Sequence, residues 1–112
     1  FTPVSLQRIS ETKDISKLII SNIRETDISV RWGGEELLIL LPQTNLDGAI
    51  NLAEKIRITL MNKEISSQKL KITASFGVTQ MKESDDEDSM ISKVDKLLYE
   101  AKKSGKNRVI AK

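Results

Sequence analysis

Two neighbouring carboxylates behind a pair of glycines are the residues of this chain whose types and spacing best suit chemistry. Gly33-Gly34 is followed by Glu35 and Glu36, and then by an apolar run that ends at Pro42. Two glycines between extended segments predict a tight hairpin turn, and glycine lets a bulky ligand approach the backbone. Paired acids beside such a turn suit a hard cation such as Mg²⁺ that carries a phosphate. The alternative interpretation of these four residues is a solvated hairpin tip.

The composition excludes several other kinds of site. The chain has no cysteine and no histidine, which excludes disulfides, thiolate or histidine metal sites, and histidine-based triads. Any metal must therefore be held by carboxylate and carbonyl oxygens. The net charge of +2 implies no general attraction to nucleic acid or to a membrane surface.

Length and hydropathy indicate one domain. A chain of 112 residues, 38% of them hydrophobic, can build a single core, so we expect one domain over residues 1–112. The sequence shows no signal peptide and no run of about 18 apolar residues. We therefore expect a cytoplasmic location, with any membrane tether supplied through a longer parent chain.

The elements that must position the glycines and acids follow from the hydrophobic pattern. In chain order, the pattern predicts a short β-like piece at 1–6, an amphipathic helix at 15–23, hairpin arms at 27–32 and 36–41, a helix over about 46–60, a strand at 70–80, a helix that ends at Gly105, and a short strand at 108–111. This order of elements is typical of an α+β or mixed α/β fold.

Local signals refine this outline. Thr44 and Asp47 have the spacing of a capping box for the second helix. Gly77 within the strand predicts a bulge or a close backbone approach. Residues 83–88 form an acidic loop that we expect to be solvated. The apolar faces of the last two helices are predicted to consist of Leu46, Ile50, Ala53, Ile56 and Leu60, and of Ile91, Val94, Leu98 and Ala101.

The motif of glycines and acids resembles that of a known family. Residues 31–37, R-W-G-G-E-E-L, resemble the signature of the GGDEF family, the diguanylate cyclase domains, in its G-G-E-E form. Three further resemblances occur in the family's order: residues 24–27 to its R-x-x-D inhibitory motif, residues 72–78 to its T-x-S-x-G strand, and residues 97–107 to its L-Y-x-A-K-x-x-G-[RK]-N ending. The resemblance covers about residues 15–112 well and residues 1–14 poorly.

The resemblance implies a fold and an activity. The family has a central, mostly antiparallel sheet flanked by helices, related to nucleotidyl cyclase and polymerase palm domains. Its members join two GTP molecules into cyclic di-GMP, a bacterial second messenger, and release pyrophosphate. Each domain of a homodimer holds one GTP, and catalysis rests on positioning and charge neutralisation. Such domains usually belong to a longer parent that carries a sensory or receiver domain.

The resemblance also implies site residues, position by position. Glu35 matches the acid that binds Mg²⁺, or Mn²⁺, and helps to deprotonate the attacking 3′-hydroxyl, and Glu36 matches the second acid beside it. The positions that match substrate-binding residues are Gly33 and Gly34, which pack against the nucleotide, and Lys102 and Lys106, which reach the terminal phosphates. The alternative for Lys102 is a cation that only complements the helix dipole.

A second implied site would bind the product. Arg24 and Asp27 match the family's product-inhibition site, where arginine grips phosphate or guanine and aspartate accepts from guanine N–H groups. Lys55, on the following helix, stands where the family often places a further arginine of this site. The alternative for Arg24 and Asp27 is a surface ion pair between residues three positions apart.

The resemblance breaks near the start of the chain. The family's first strand ends in a segment that supplies another metal-binding aspartate, and this segment is missing between Leu6 and Gln7. Ser10 stands where the family has a guanine-reading asparagine. Either the domain is shortened and degenerate, or the sequence omits residues of a longer parent. Three classes of function remain: a diguanylate cyclase, a catalytically degenerate module that binds cyclic di-GMP or serves in dimerisation, and a generic nucleotide-binding domain.

Overall fold

The computed structural model describes residues 3–11, 19–33, 36–62, 64–65, 70–71 and 73–112. Its strands are β1 (Val4–Glu11), β2 (Ile28–Gly33), β3 (Glu36–Pro42), β4 (Glu64–Ile65), β5 (Leu70–Lys71), β6 (Ala74–Gln80) and β7 (Val109–Ala111), and its longer helices are α1 (Leu46–Met61) and α2 (Glu87–Lys103). In this part of the chain, a five-stranded sheet has the order β2-β3-β1-β6-β7, and β4 pairs with β5 in a separate small sheet. The larger sheet is antiparallel except for the parallel pair of β6 and β7. The expected α+β fold, with a mostly antiparallel sheet flanked by helices, is confirmed.

β1 lies at the centre of the sheet and is longer than the sequence predicts. It runs unbroken through Leu6 and Gln7 to Glu11 and pairs with both β3 and β6. The prediction of a strand that ends at Leu6 is therefore wrong. The prediction fails because Ser5 and Gln7 are polar but fully buried. The sequence of β1 therefore does not show the alternation of apolar and polar residues that identifies a half-buried strand.

β2 and β3 form the predicted hairpin. Gly33 pairs with Glu36, and both arms match the predicted ranges to within one residue. Gly34 and Glu35, which carry part of the sequence motif, lie outside the described residues. Of the helix expected at 15–23, Ile19 and Ile20 are described and helical, and a turn follows them.

α1 covers one face of the sheet. Its buried residues pack in one cluster with Ile9 of β1 and Phe76 of β6. The predicted apolar face is confirmed, because Ala53, Ile56 and Leu60 are fully buried and Leu46 and Ile50 pack against the same cluster.

The predicted cap of α1 is wrong by one residue. Asn45, rather than Thr44, caps the helix, and its side chain accepts a 2.9 Å hydrogen bond from the backbone N–H of Gly48. Asparagine is an equally good cap, and the hydroxyl of Thr44 is engaged elsewhere: it donates to the carbonyl of Pro42 at 3.0 Å.

α2 covers the opposite face. Its residues Met90 and Val94 pack with Leu6 of β1. This cluster is separate from the one that contains the buried residues of α1. Of the predicted inward residues, Val94, Leu98 and Ala101 are buried and Ile91 is half-buried. The close approach predicted at Gly77 is confirmed, because a Cβ there would lie 2.6 Å from the backbone nitrogen of Leu98.

Two other predictions need correction, and one is confirmed. The single strand expected at 70–80 is interrupted, because β5 pairs with β4 and β6 starts at Ala74. The acidic residues at 83–88 are exposed as expected, except for half-buried Asp85. They are not all loop, however, because Asp86 caps α2 in a reciprocal capping box with Ser89, and Glu87 and Asp88 belong to the helix. The short strand expected at 108–111 is present as β7.

Candidate functional site

The structure brings an acid of the hairpin and a lysine of the last helix together. Glu36 is the first residue of β3, and Lys102 lies in the last turn of α2. Lys102 Nζ is 3.7 Å from Glu36 Oε2. Two of the residues that the sequence assigned to one site, from distant parts of the chain, are therefore neighbours in the fold.

Arg8 and Asp95 complete this cluster. Arg8 Nη2 lies 2.5 Å from Glu36 Oε1, and its Nη1 forms an ion pair with Oδ1 of Asp95 on α2. Sequence reasoning missed both residues, because Arg8 was placed beyond the end of the first strand. A charged residue two positions after Leu6, and therefore on the same face of the strand, is the signal that could have drawn attention to Arg8.

Lys106 follows α2 in a left-handed turn. Gly105, Lys106 and Asn107 have φ angles of 131°, 61° and 47°. The turn is held by hydrogen bonds from the N–H of Lys106 to the carbonyl of Ala101 at 2.9 Å and from the N–H of Asn107 to Oγ of Ser75 at 3.2 Å. The side chain of Lys106 is exposed, and among the described residues it forms no ion pair. The fixed backbone and free ammonium suit a ligand that arrives from solvent.

The described residues do not form a metal centre by themselves. They contain no group of three acidic, histidine or cysteine side chains close enough to hold a metal ion. Glu36 is shared between two cations, Arg8 and Lys102, and the residue opposite it on β1 is Ser10, which carries no charge. Glu35, the other acid of the motif, lies outside the described residues.

A second polar cluster joins Arg24 and Asp27. The backbone N–H of Arg24 donates to Asp27 Oδ2 at 2.8 Å, and the side chains meet at 3.4 Å. Nη2 of Arg24 also donates to the carbonyl of Pro42 at 2.8 Å and to the hydroxyl of Thr44. The guanidinium is thus fixed against the end of β3, while its side chain stays about half exposed, at 55%.

This second cluster borders a surface cavity of about 410 Å³. Pro3, Asn22, Arg24, Asp27, Thr44 and Leu52 are among its lining residues. Lys55, predicted to join the same site, is exposed on α1 one helical turn beyond Leu52 and does not line the cavity. The ion pair of Arg24 and Asp27 is present, as the surface alternative requires, and the cavity beside it could also take a ligand.

The two clusters lie at opposite ends of β3. Glu36 begins the strand, and the carbonyl of Pro42, which holds Arg24, ends it. Six residue steps of an extended strand separate them by roughly 20 Å. A ligand at one cluster therefore leaves the other accessible.

In the described part of the chain, no helix is long and apolar enough to cross a membrane.

Comparison with known proteins identifies relatives over most of the sequence. A family model described as diguanylate cyclase, GGDEF domain, matches residues 12–108. Diguanylate cyclase DgcM of Escherichia coli K12 is 40% identical over 97 residues, which are 87% of this chain and 23% of that protein. Response regulator PleD of Caulobacter vibrioides NA1000 is 31% identical over 105 residues, 89% of this chain and 23% of that protein. The chain thus spans about a quarter of the length of these curated relatives.

Solved structures show the same fold. The active GGEEF domain of a diguanylate cyclase from Vibrio cholerae superposes with a TM-score of 0.92 at 27% identity, over 98% of this chain and 83% of that chain. The coiled coil and GGDEF domain of DgcB from Caulobacter crescentus, in complex with c-di-GMP, gives a TM-score of 0.90 at 20% identity, over 99% and 70%. The second likeness shows the fold alone. With the family model matching most of its length and its motif residues 31–37 in place, this chain belongs to the GGDEF family of diguanylate cyclase domains.

Proposed function

We propose that this chain is the GTP-converting domain of a diguanylate cyclase, which joins two GTP molecules into cyclic di-GMP and releases pyrophosphate. The observation that carries the proposal is the pairing of Glu36 with Lys102. Glu36, one acid of the motif, lies beside the end of α2, and the proposal assigns the lysines there to phosphate binding. A polyanionic triphosphate bound there would be neutralised by cations such as Lys102, which the fold already holds near Glu36.

Each motif residue has a task in this proposal. Gly33, at the end of β2, has no side chain to obstruct the nucleotide, and Gly34 follows it. Lys102 and Lys106 donate to the terminal phosphates. Glu35 accepts the proton of the attacking 3′-hydroxyl and holds the cation, Mg²⁺ or Mn²⁺, which when bound would neutralise phosphate charge.

The reaction requires a second copy of the domain. Each domain holds one GTP, so both hydroxyl groups can attack only when two domains face each other in a homodimer. The remaining three-quarters of the curated relatives' length leaves room for sensory or receiver domains. PleD is named a response regulator, and the diguanylate cyclase SiaD was solved in complex with its activator SiaC. We infer a similar input partner for the parent of this chain.

We infer that the cavity beside Arg24 and Asp27 binds cyclic di-GMP and inhibits the enzyme. A guanidinium held by Thr44 and by the carbonyl of Pro42 is preorganised for a phosphate or a guanine edge. Lys55 supplies a further cation on the adjacent helix surface. Two DgcB structures contain c-di-GMP, which supports the choice of ligand.

A second candidate is a catalytically degenerate domain that binds cyclic di-GMP or serves in dimerisation. The observation that favours it is Ser10, an uncharged residue, opposite Glu36 on the central strand. Glu36 is also bound by two cations, and the described residues contain no group of three acidic side chains that could hold a metal ion. Phosphoryl transfer aided by paired metal ions would then lack a ligand.

The measurement of pyrophosphate release from GTP and Mg²⁺ separates the two candidates. The full-length parent is compared with its Glu35→Ala variant and with Glu83→Gln, a matched control on an exposed loop acid. A cyclase loses at least about a hundredfold in turnover on Glu35→Ala and keeps its rate on Glu83→Gln. Absence of turnover by the wild-type parent, together with binding of cyclic di-GMP, would establish the degenerate module instead.

A further inference from the structure

We propose that Arg8 is a positioning residue that keeps Lys102 available to phosphate by holding the carboxylate of Glu36. The inference rests on the proposed function, since it assigns Lys102 to the substrate. It adds a residue that the sequence motif does not contain. Its basis is the alternating chain of charges Asp95, Arg8, Glu36 and Lys102.

The first step is the geometry of this chain of charges. Asp95 and Lys102 both lie on α2, two helical turns apart and therefore on one face. Arg8 on β1 and Glu36 on β3 fill the space between them. The cluster thus joins the tip of the hairpin to the end of the helix through the central strand.

The second step is the difference between the two cations on Glu36. Arg8 is only 15% exposed, lies 2.5 Å from Oε1 of Glu36 and also contacts Asp95. Lys102 is 38% exposed and lies 3.7 Å from Oε2. A guanidinium can form ion pairs with two acids at once, whereas an ammonium is a mobile point charge. Arg8 is therefore the fixed partner of Glu36, and Lys102 is the exchangeable one.

The third step is what happens without Arg8. Glu36 would keep its full charge, and Lys102 is the cation that still pairs with it among the described residues. The carboxylate would then draw Lys102 into a closer pair, and a phosphate would have to compete for it. Arg8 prevents this competition because it already neutralises Glu36.

The experiment compares variants for binding of a GTP analogue with an α,β-methylene bridge, by calorimetry with Mg²⁺ on the full-length parent. Arg8→Gln should weaken binding about fivefold, which is the change in affinity expected from the free energy of one partly exposed ion pair. Adding Glu36→Gln to Arg8→Gln should restore affinity, because the competing carboxylate is gone. Adding Asp95→Asn instead restores the same net charge, but should not restore affinity, because Glu36 still holds Lys102.

Equal rescue by Glu36→Gln and Asp95→Asn would overturn the proposal, because net charge alone would then explain the effect. Unchanged affinity in Arg8→Gln would overturn it as well. Circular dichroism and thermal unfolding check that each variant folds. Should Arg8→Gln fail to fold, Arg8→Lys keeps the charge but cannot span both acids, and it is expected to weaken binding to a smaller extent, with the same pattern of rescue.

A second readout does not depend on GTP. The acetylation rate of Lys102 in the nucleotide-free protein, followed by mass spectrometry, should fall several-fold in Arg8→Gln and recover on adding Glu36→Gln. Lys103, the exposed neighbour, is the internal control and should not change. A wild-type protein that does not bind the analogue would contradict the proposed function alone, whereas an unchanged Lys102 rate in Arg8→Gln would contradict the role of Arg8.

Discussion

Gly77 of β6 touches the backbone of Leu98 on α2: a Cβ at this glycine would lie 2.6 Å from the Leu98 nitrogen. The same Cβ would also lie 2.6 Å from the carbonyl oxygen of Val94. Both contacts are with helix backbone, which cannot rotate away. The sheet and α2 can approach this closely only because residue 77 has no side chain, and Lys102 reaches Glu36 from that helix.

Gly77→Ala should therefore destabilise the fold. We expect a loss of about 2–4 kcal/mol in the free energy of unfolding, since overpacking against an immovable backbone exceeds the usual cost of an added methyl group. Urea unfolding measures it. Ser92→Ala, at an exposed position of the same helix, is the control and should change stability by less than about 0.5 kcal/mol. A Gly77→Ala protein as stable as wild type would show that the helix can shift without penalty.

Gln7 carries a buried amide whose nitrogen and oxygen have no hydrogen-bond partner among the described residues. Its neighbours across the sheet are Ile39 and Val78. Gln7→Met keeps the length of the side chain and removes the unsatisfied polar atoms, so we expect stabilisation by about 1 kcal/mol. Thermal unfolding should show a midpoint higher by about 4–8 °C. A lower midpoint would mean that the amide has a partner that favours the native state.

Asp85 makes stability depend on acid pH. The ammonium of Lys93 at 2.6 Å, and then the backbone N–H of Lys82 at 2.9 Å, lower the pKa of Asp85 from 3.8 to about 2. The depressed pKa means that its contribution is complete above about pH 4 and is lost as the pH falls towards 2.

The check is urea unfolding at about pH 5 and about pH 2.5. Asp85→Asn should lose less stability than wild type between these two conditions, because its side chain cannot take up the proton. Lys93→Gln removes the main cause of the low pKa of Asp85. It should therefore also lose less stability than wild type between the two pH values. Identical losses in all three proteins would exclude Asp85 as the source of this acid sensitivity.

Thr44 should matter for the second cluster through Arg24. Its hydroxyl accepts from the guanidinium, so Thr44→Val leaves the shape nearly unchanged but removes one of the groups that hold Arg24, beside the carbonyl of Pro42 and Asp27. We expect cyclic di-GMP to bind about fivefold more weakly in calorimetry, and Arg24→Ala to abolish binding. Thr59→Val on α1, whose hydroxyl donates to the carbonyl of Lys55 on the same helix, is the matched control. Unchanged affinity in both Thr44→Val and Arg24→Ala would place the ligand elsewhere.

The sequence predicts the β2–β3 hairpin and the helix that follows it well, because the signals of these elements are local. Gly33 and Glu36 pair as the two-glycine motif indicates. The link between Glu36 and Lys102 could be anticipated only through the family resemblance, since nothing local joins β3 to α2. The contacts of Arg8 were beyond prediction, because they depend on the register of β1 against two other elements.

The errors have a common physical origin in polar side chains that serve tertiary contacts. Ser5 is fully buried and donates to the carbonyl of Thr44 at 2.7 Å, although its type is typical of a surface position. Asp85, in a loop predicted to be solvated, binds Lys93. Periodicity records only which residues are apolar, so it cannot distinguish a polar residue with a buried partner from one in water.

The central place of β1 also sets an order of events during folding. Ser5 pairs with Leu41 on one side and with Gln80 on the other, so β1 leaves the ribosome long before its second neighbour exists. Closing such a long loop is slow compared with forming the β2–β3 hairpin. Until β6 is made, one edge of β1 presents unpaired backbone groups that another chain can bind. Slowed translation between β3 and β6 is therefore expected to increase aggregation of nascent chains without changing the stability of the finished domain.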